Sequence, residues 1–143
     1  MSKEEYLSQV TVLTRRIEYH NERLLRLQQQ ADALSSRWGE HTSSYNKDAP
    51  YVRMLENIEA AREELAEENR LLDSLQQQVE ETINALPEER LRLALLYRYL
   101  EKKTFREIGE LLFISYSSVK RWIESALEML VLPENPISIF PKS

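Results

Sequence analysis

Residues 104–130 read TFREIGELLFISYSSVKRWIESALEML. Thr104 and Glu107 stand three apart, the spacing at which a hydroxyl and a carboxylate cap each other's backbone amides at a helix start. A short helix carrying Ile108 and Leu112 is therefore expected to open here. Ser115 offers a second cap, and behind it Val119, Ile123, Ala126 and Leu130 fall within about 40° of one another at 100° per residue. Two capped helices separated by a few residues predict a helix-turn-helix.

The apolar stripe of the second helix leaves Ser117, Arg121, Glu124 and Glu128 facing outward, with Ser118 and Lys120 between. Its opening turns, Ser115, Tyr116, Ser117, Ser118, Val119, Lys120 and Arg121, hold short hydroxyls and two cations with no acid before Glu124. That is the part of a recognition helix that enters a DNA major groove. Arg121 has the fork for a bidentate pair with guanine, and Lys120 suits a phosphate. Arg98, Lys102, Lys103 and Arg106 set four further cations against Glu101 alone, a cluster able to grip a phosphate backbone. On spacing alone, cations that are merely solvated or a bundle that docks protein remain equal alternatives.

Upstream, Pro87-Glu88-Glu89 places a ring where its missing N–H is harmless and acid near a helix N-terminus. The helix it opens is expected to run about 16 residues, with Leu93, Leu96, Tyr97 and Leu100 on its buried face. Before Pro87, apolar residues follow steps of three and four through Tyr6, Val10, Leu13, Ile17, His20, Leu24, Leu27, Ala31 and Leu34. They resume through Tyr51, Leu55, Ile58, Arg62, Leu65, Asn69, Leu72, Gln76, Val79, Ile83 and Leu86. Both are coiled-coil seams. Each helix has about 35 residues and a length of roughly 50 Å. A polar, turn-rich joint over about 36–49 folds them into an antiparallel hairpin. Ser2 and Glu5 have cap spacing, Gly39 is placed to end the first helix in a left-handed conformation, and Asp48 with Pro50 suits the start of the second. Polar seam residues set register and pairing, so His20 is expected to meet Asn69 or Arg62 across the hairpin. Trp38 and Tyr45 serve equally as a partner anchor or as cover for the hairpin tip.

The fold expected is all-α, a long antiparallel coiled-coil hairpin over 1–86, a three-helix module over 87–132 and an extended tail over 133–143. Its net charge of −5 averages two unlike parts. Residues 1–86 carry 10 basic and 16 acidic side chains, a net of −6, while 87–143 carry 9 and 8, a net of +1. Two glycines cannot build a phosphate-cradling loop or dinucleotide fingerprint, and the absence of cysteine removes thiolate chemistry and sulfur-ligated zinc. Two histidines leave a metal poorly supplied. Glu63, Glu64, Glu67 and Glu68 lie on one regular helix with no cleft to shift a pKa, and so read as a solvated face. No enzyme activity, cofactor or metal is expected. Nor is a membrane segment or export signal, which makes a cytoplasmic location the expectation.

Leu86–Leu130 resembles region 4 of sigma-70 factors, in the pattern L-P-x-x-x-R, an aromatic-rich helix, T-x-x-E-I-A-x-x-L-x-I-S-x-x-T-V-x-R and a closing A-L-x-x-L. Thr104, Glu107, Ile108, Leu112, Ile114, Ser115, Val119, Arg121, Ala126, Leu127 and Leu130 match. Hairpin and module together resemble small ArpU-like transcriptional regulators of phages and prophages of Gram-positive bacteria, associated with late packaging and lysis genes. The resemblance implies binding to double-stranded promoter DNA through Ser117, Ser118, Lys120 and Arg121, and contact with RNA polymerase. A homo-oligomer, a dimer first, is expected through the hairpin. Two positions depart from the pattern: Gly109 stands where Ala is usual and Phe113 where the turn usually has Gly. A positive φ at Phe113 would strain it, and a changed turn would tilt the recognition helix. Leu111 beside it adds apolar surface suited to a partner or dimer contact. No counterpart of sigma region 2 is present, so a complete sigma factor is not expected. The rival class is a non-catalytic packaging component or polymerase-binding adaptor whose helix-turn-helix touches protein.

Overall fold

The computed structural model describes residues 1–38 and 45–140, without the side chains of residues 37–49. It is all-helical in those residues: α1 (Lys3–Trp38), α2 (Tyr45–Asn84), α3 (Glu89–Leu95), α4 (Phe105–Leu112) and α5 (Tyr116–Met129). α3 continues without a break into a π-helical turn, Leu96–Leu100. Two compact units result, one made of residues 15–70 and the other of residues 1–14 with 71 onward. The charge division at Pro87 runs through the second.

Within residues 15–70, the described parts of α1 and α2 pack side by side. Ile17, Ala31, Ile58 and Leu65 are buried along the expected seam. His20 is half-buried and its Nδ1 meets Glu68 Oε1 at 2.5 Å. The partner is thus neither Asn69 nor Arg62. Both are exposed: Asn69 donates to the Leu65 carbonyl one turn back, and Arg62 lies toward Glu59. Their heptad spacing matched the seam, but a long or amide side chain in a two-helix unit satisfies its polar end more cheaply at the edge, beside water. Glu68 consequently leaves the solvated face assigned to it, its side chain only 13% exposed. Leu55, another seam residue, is 44% exposed. α2 also begins at Tyr45, ahead of the start expected at Asp48, and takes Pro50 inside the helix. Gly39 lies outside the described residues, as do the side chains of Trp38 and Tyr45.

In the other unit α1 opens on Ser2, whose hydroxyl accepts from the Glu5 amide. Tyr6, Leu7, Val10, Leu13, Leu75, Val79, Ile83 and Leu86 form its core with Leu91, Ala94, Leu95, Ile108, Val119, Ile123, Ala126 and Leu130. Leu7, Leu75 and the fully buried Gln9 lie off the seams. The tail explains Gln9. Gln9 donates to the Ile137 carbonyl and accepts from the Ile139 amide, while Gln78 accepts from the Ile137 amide and donates to the Asn135 carbonyl, all at 2.9–3.1 Å. Gln78 also receives the Tyr6 hydroxyl at 2.7 Å. Two side-chain amides thereby read alternate tail residues much as a neighbouring strand would. The tail docks on its own α1 and α2, burying Ile139.

The first helix of the module departs from its expected register. Pro87 lies just outside it, Glu88 is the extended residue ahead of α3, and the buried side chains are Leu91, Ala94, Leu95 and Tyr99. Leu93, Leu96, Tyr97 and Leu100 are only half-buried. Apolar residues cover most of the circumference of this segment, so periodicity alone does not choose a face. The π turn, closed by the Glu101 amide on the Leu96 carbonyl at 3.0 Å, then shifts the register within it.

Candidate nucleic-acid interface

Helix α4 is fixed at both ends. Thr104 accepts from the Glu107 amide and Glu107 accepts from the Thr104 amide, both at 3.1 Å, so the expected capping box is complete. Those bonds hold the Glu107 carboxyl below its usual range, the Thr104 backbone amide contributing most. At the other end α4 stops at Phe113, which is left-handed at φ 57°, ψ 44°. The Ile114 amide returns to the Gly109 carbonyl at 3.0 Å, closing a Schellman-type turn. Phe113 therefore does what glycine usually does there, and the strain anticipated from the sequence is present.

Gly109 has a separate reason. A Cβ at this position would lie 2.8 Å from the Ile114 carbonyl oxygen and 3.6 Å from Val119 Cγ2. Val119 is a core residue of α5, so the missing side chain lets the turn and α5 approach α4 closely.

From this turn α5 starts on Ser115. Its Oγ accepts from the Ser118 amide at 3.2 Å and donates to Ser118 Oγ at 2.9 Å. Arg121 Nη2 donates to the same Ser118 oxygen at 3.2 Å. Ser118 is half-buried, whereas Ser115, Tyr116, Ser117, Lys120 and Arg121 are exposed. Ser118 thus lies behind the exposed set and holds the Arg121 guanidinium, a relation that residue types alone did not signal. Val119, Ile123, Ala126 and Leu130 are buried as expected, and Glu124 and Glu128 are exposed.

The second cationic group is less uniform than its sequence suggests. Lys102 and Arg106 are exposed and Lys103 is half-buried. Lys102 is left-handed at φ 57°, and the Lys103 amide reaches back to the Tyr97 carbonyl at 2.9 Å to end the π turn. Arg98 is turned to structural use: it stacks on Phe105 at 4.4 Å and donates to the Lys103 carbonyl at 3.2 Å. Phe105 in turn meets Tyr116 edge-on at 5.6 Å, linking the start of α4 to that of α5. Trp122 is half-buried beneath Arg90 of α3, whose guanidinium lies 5.2 Å from the ring centroid and pairs with Glu88 at 2.8 Å. Trp122 is accordingly a packing residue. Of the apolar candidates, Leu111 is 46% exposed and Phe113 is 93% exposed.

No group of histidine and acidic side chains able to hold a metal occurs among the described residues. None of the described helices is long and apolar enough to cross a membrane. Capped short helices, a glycine-tightened turn and a polar, cationic α5 face define a helix-turn-helix of DNA-binding type. Residues 76–130 match the family described as Sigma-70, region 4, so the chain carries a sigma-70 region 4-like domain. That match begins in α2, ahead of the Leu86 boundary. Comparison with curated proteins and with solved structures gives no match.

Proposed function

We propose that this protein is a non-catalytic, sequence-specific DNA-binding transcription regulator of a phage or prophage, acting on late packaging and lysis genes. The observation that carries the DNA-binding part is the α5 start. Exposed Ser115, Tyr116, Ser117, Lys120 and Arg121 share the first two turns of a recognition helix with no acid among them, within a sigma-70 region 4-like domain. Arg121 supplies base preference, while Lys120, Lys102, Lys103 and Arg106 supply attraction to phosphates. The phage assignment rests on the likeness of the hairpin-plus-module arrangement to ArpU-like regulators. In this reading the hairpin pairs with a second copy or with RNA polymerase. Tyr19, Leu25, Val52 and Leu55, each exposed on the helices of residues 15–70, provide apolar surface for such pairing.

The test is titration of the full chain against random double-stranded DNA and against DNA from upstream of candidate late genes, over a range of salt. The reading expects affinity that falls steeply with salt and a preferred upstream sequence. Salt-independent or undetectable binding would favour the adaptor alternative, and a large ring in solution would favour the packaging alternative.

A further inference from the structure

Phe113 contributes little to the fold that holds it. Its backbone occupies a conformation that residues with a Cβ avoid, and its ring is 93% exposed, so packing within the chain does not offset the strain. Two residues on, Ser115 caps α5, followed by exposed Tyr116 and Ser117 and then by Lys120 and Arg121. A large apolar side chain is therefore held out at the mouth of a hydroxyl-rich, cationic face. Leu111, also exposed, has Glu107 and Glu110 beside it on α4, whose charges oppose phosphates. Phe113 is the apolar residue continuous with the proposed DNA face.

The major groove presents one apolar group among its polar edges, the 5-methyl of thymine. Building on the DNA-binding reading above, we propose that Phe113 packs against a thymine methyl group at the edge of the sequence read by α5. Sequence preference, not stability, then accounts for an aromatic residue in a left-handed turn position.

The experiment uses full-length protein and double-stranded DNA that it enriches from a randomised pool, with each thymine replaced in turn by deoxyuridine. Affinity is read by fluorescence anisotropy at one salt concentration. The wild type is expected to lose affinity about fourfold at one thymine, the change associated with exposing one methyl-sized group. Phe113→Ala is expected to bind thymine DNA correspondingly less well and to ignore that replacement, while Phe113→Leu retains part of the discrimination. Thermal unfolding of the variants confirms that they are folded, as the exposure of the ring leads one to expect. Equal affinity of wild type and Phe113→Ala, or undiminished deoxyuridine sensitivity in the variant, overturns this proposal alone. Failure of the wild type to enrich any sequence overturns both it and the DNA-binding reading.

Discussion

Replacing Phe113 by Gly and, separately, by Ala isolates the backbone strain in the turn. Both variants remove a ring that is 93% exposed, so both lose the same small burial. Only glycine relieves the left-handed conformation at φ 57°. That conformation costs residues with a Cβ about 1–2 kcal/mol, and the greater freedom of glycine in the unfolded chain takes back about 0.5–1 kcal/mol. Phe113→Gly is therefore predicted to be more stable than Phe113→Ala by about 0.5–1 kcal/mol. At roughly 2.1 cal/mol/K of unfolding entropy per residue, the corresponding separation in Tm is about 2–3 °C. Differential scanning calorimetry of the two proteins in one buffer measures it. An alanine variant as stable as the glycine variant would refute the assignment of strain to this turn.

Gly109→Ala should destabilise the protein although alanine gains about 1 kcal/mol of helix propensity, because its Cβ would approach the backbone oxygen of Ile114; a rise in Tm would contradict this. Removing the Thr104 cap with alanine is expected to cost about 1 kcal/mol, measured by urea unfolding. The lowered Glu107 pKa means that its cap contributes fully above the ordinary glutamate range and is lost as pH falls through the depressed folded value. A Glu107→Gln variant should lose that part of the acid dependence, seen in unfolding midpoints between pH 6 and 3. Because Ser118 holds Arg121, Ser118→Ala should weaken base discrimination about two- to tenfold in the wild type, the worth of one hydrogen bond, and have much less effect in an Arg121→Ala background. Additive losses in that double-mutant cycle would mean that Ser118 acts independently of Arg121.

The strongest sequence signals were local ones. Thr104 with Glu107 and Ser115 ahead of an apolar stripe each specify a bond that can form within one helical turn, and both formed. The seams of α1 and α2 were readable for the same reason, through the burial of Val10, Leu13, Ile17, Val79 and Ile83. What escaped depends on contacts distant in sequence or on choices that periodicity leaves degenerate. Gln9 reads the backbone of residues more than a hundred positions away, and glutamine in a helix carries no mark of that partner. The segment from Leu91 to Leu100 is apolar on too many sides to declare its buried face, and its π turn has no simple spacing signature. Arg98 looked like one of four free cations until its stacking on Phe105 was apparent. Gly109 and Phe113 were recognisable as departures, but only the 2.8 Å approach at Gly109 and the exposure of Phe113 separate a packing requirement from an unoffset strain.

The central claim, that α5 reads DNA while other cations hold its backbone, is tested most directly by comparing Arg121→Ala with Lys102→Ala on preferred and random double-stranded DNA. Arg121→Ala should lose about 1–3 kcal/mol on the preferred sequence and little on random DNA, whereas Lys102→Ala should weaken both alike and reduce the salt slope by about one. Wild-type affinity in both variants, or equal loss on both DNAs from Arg121→Ala, would contradict the account.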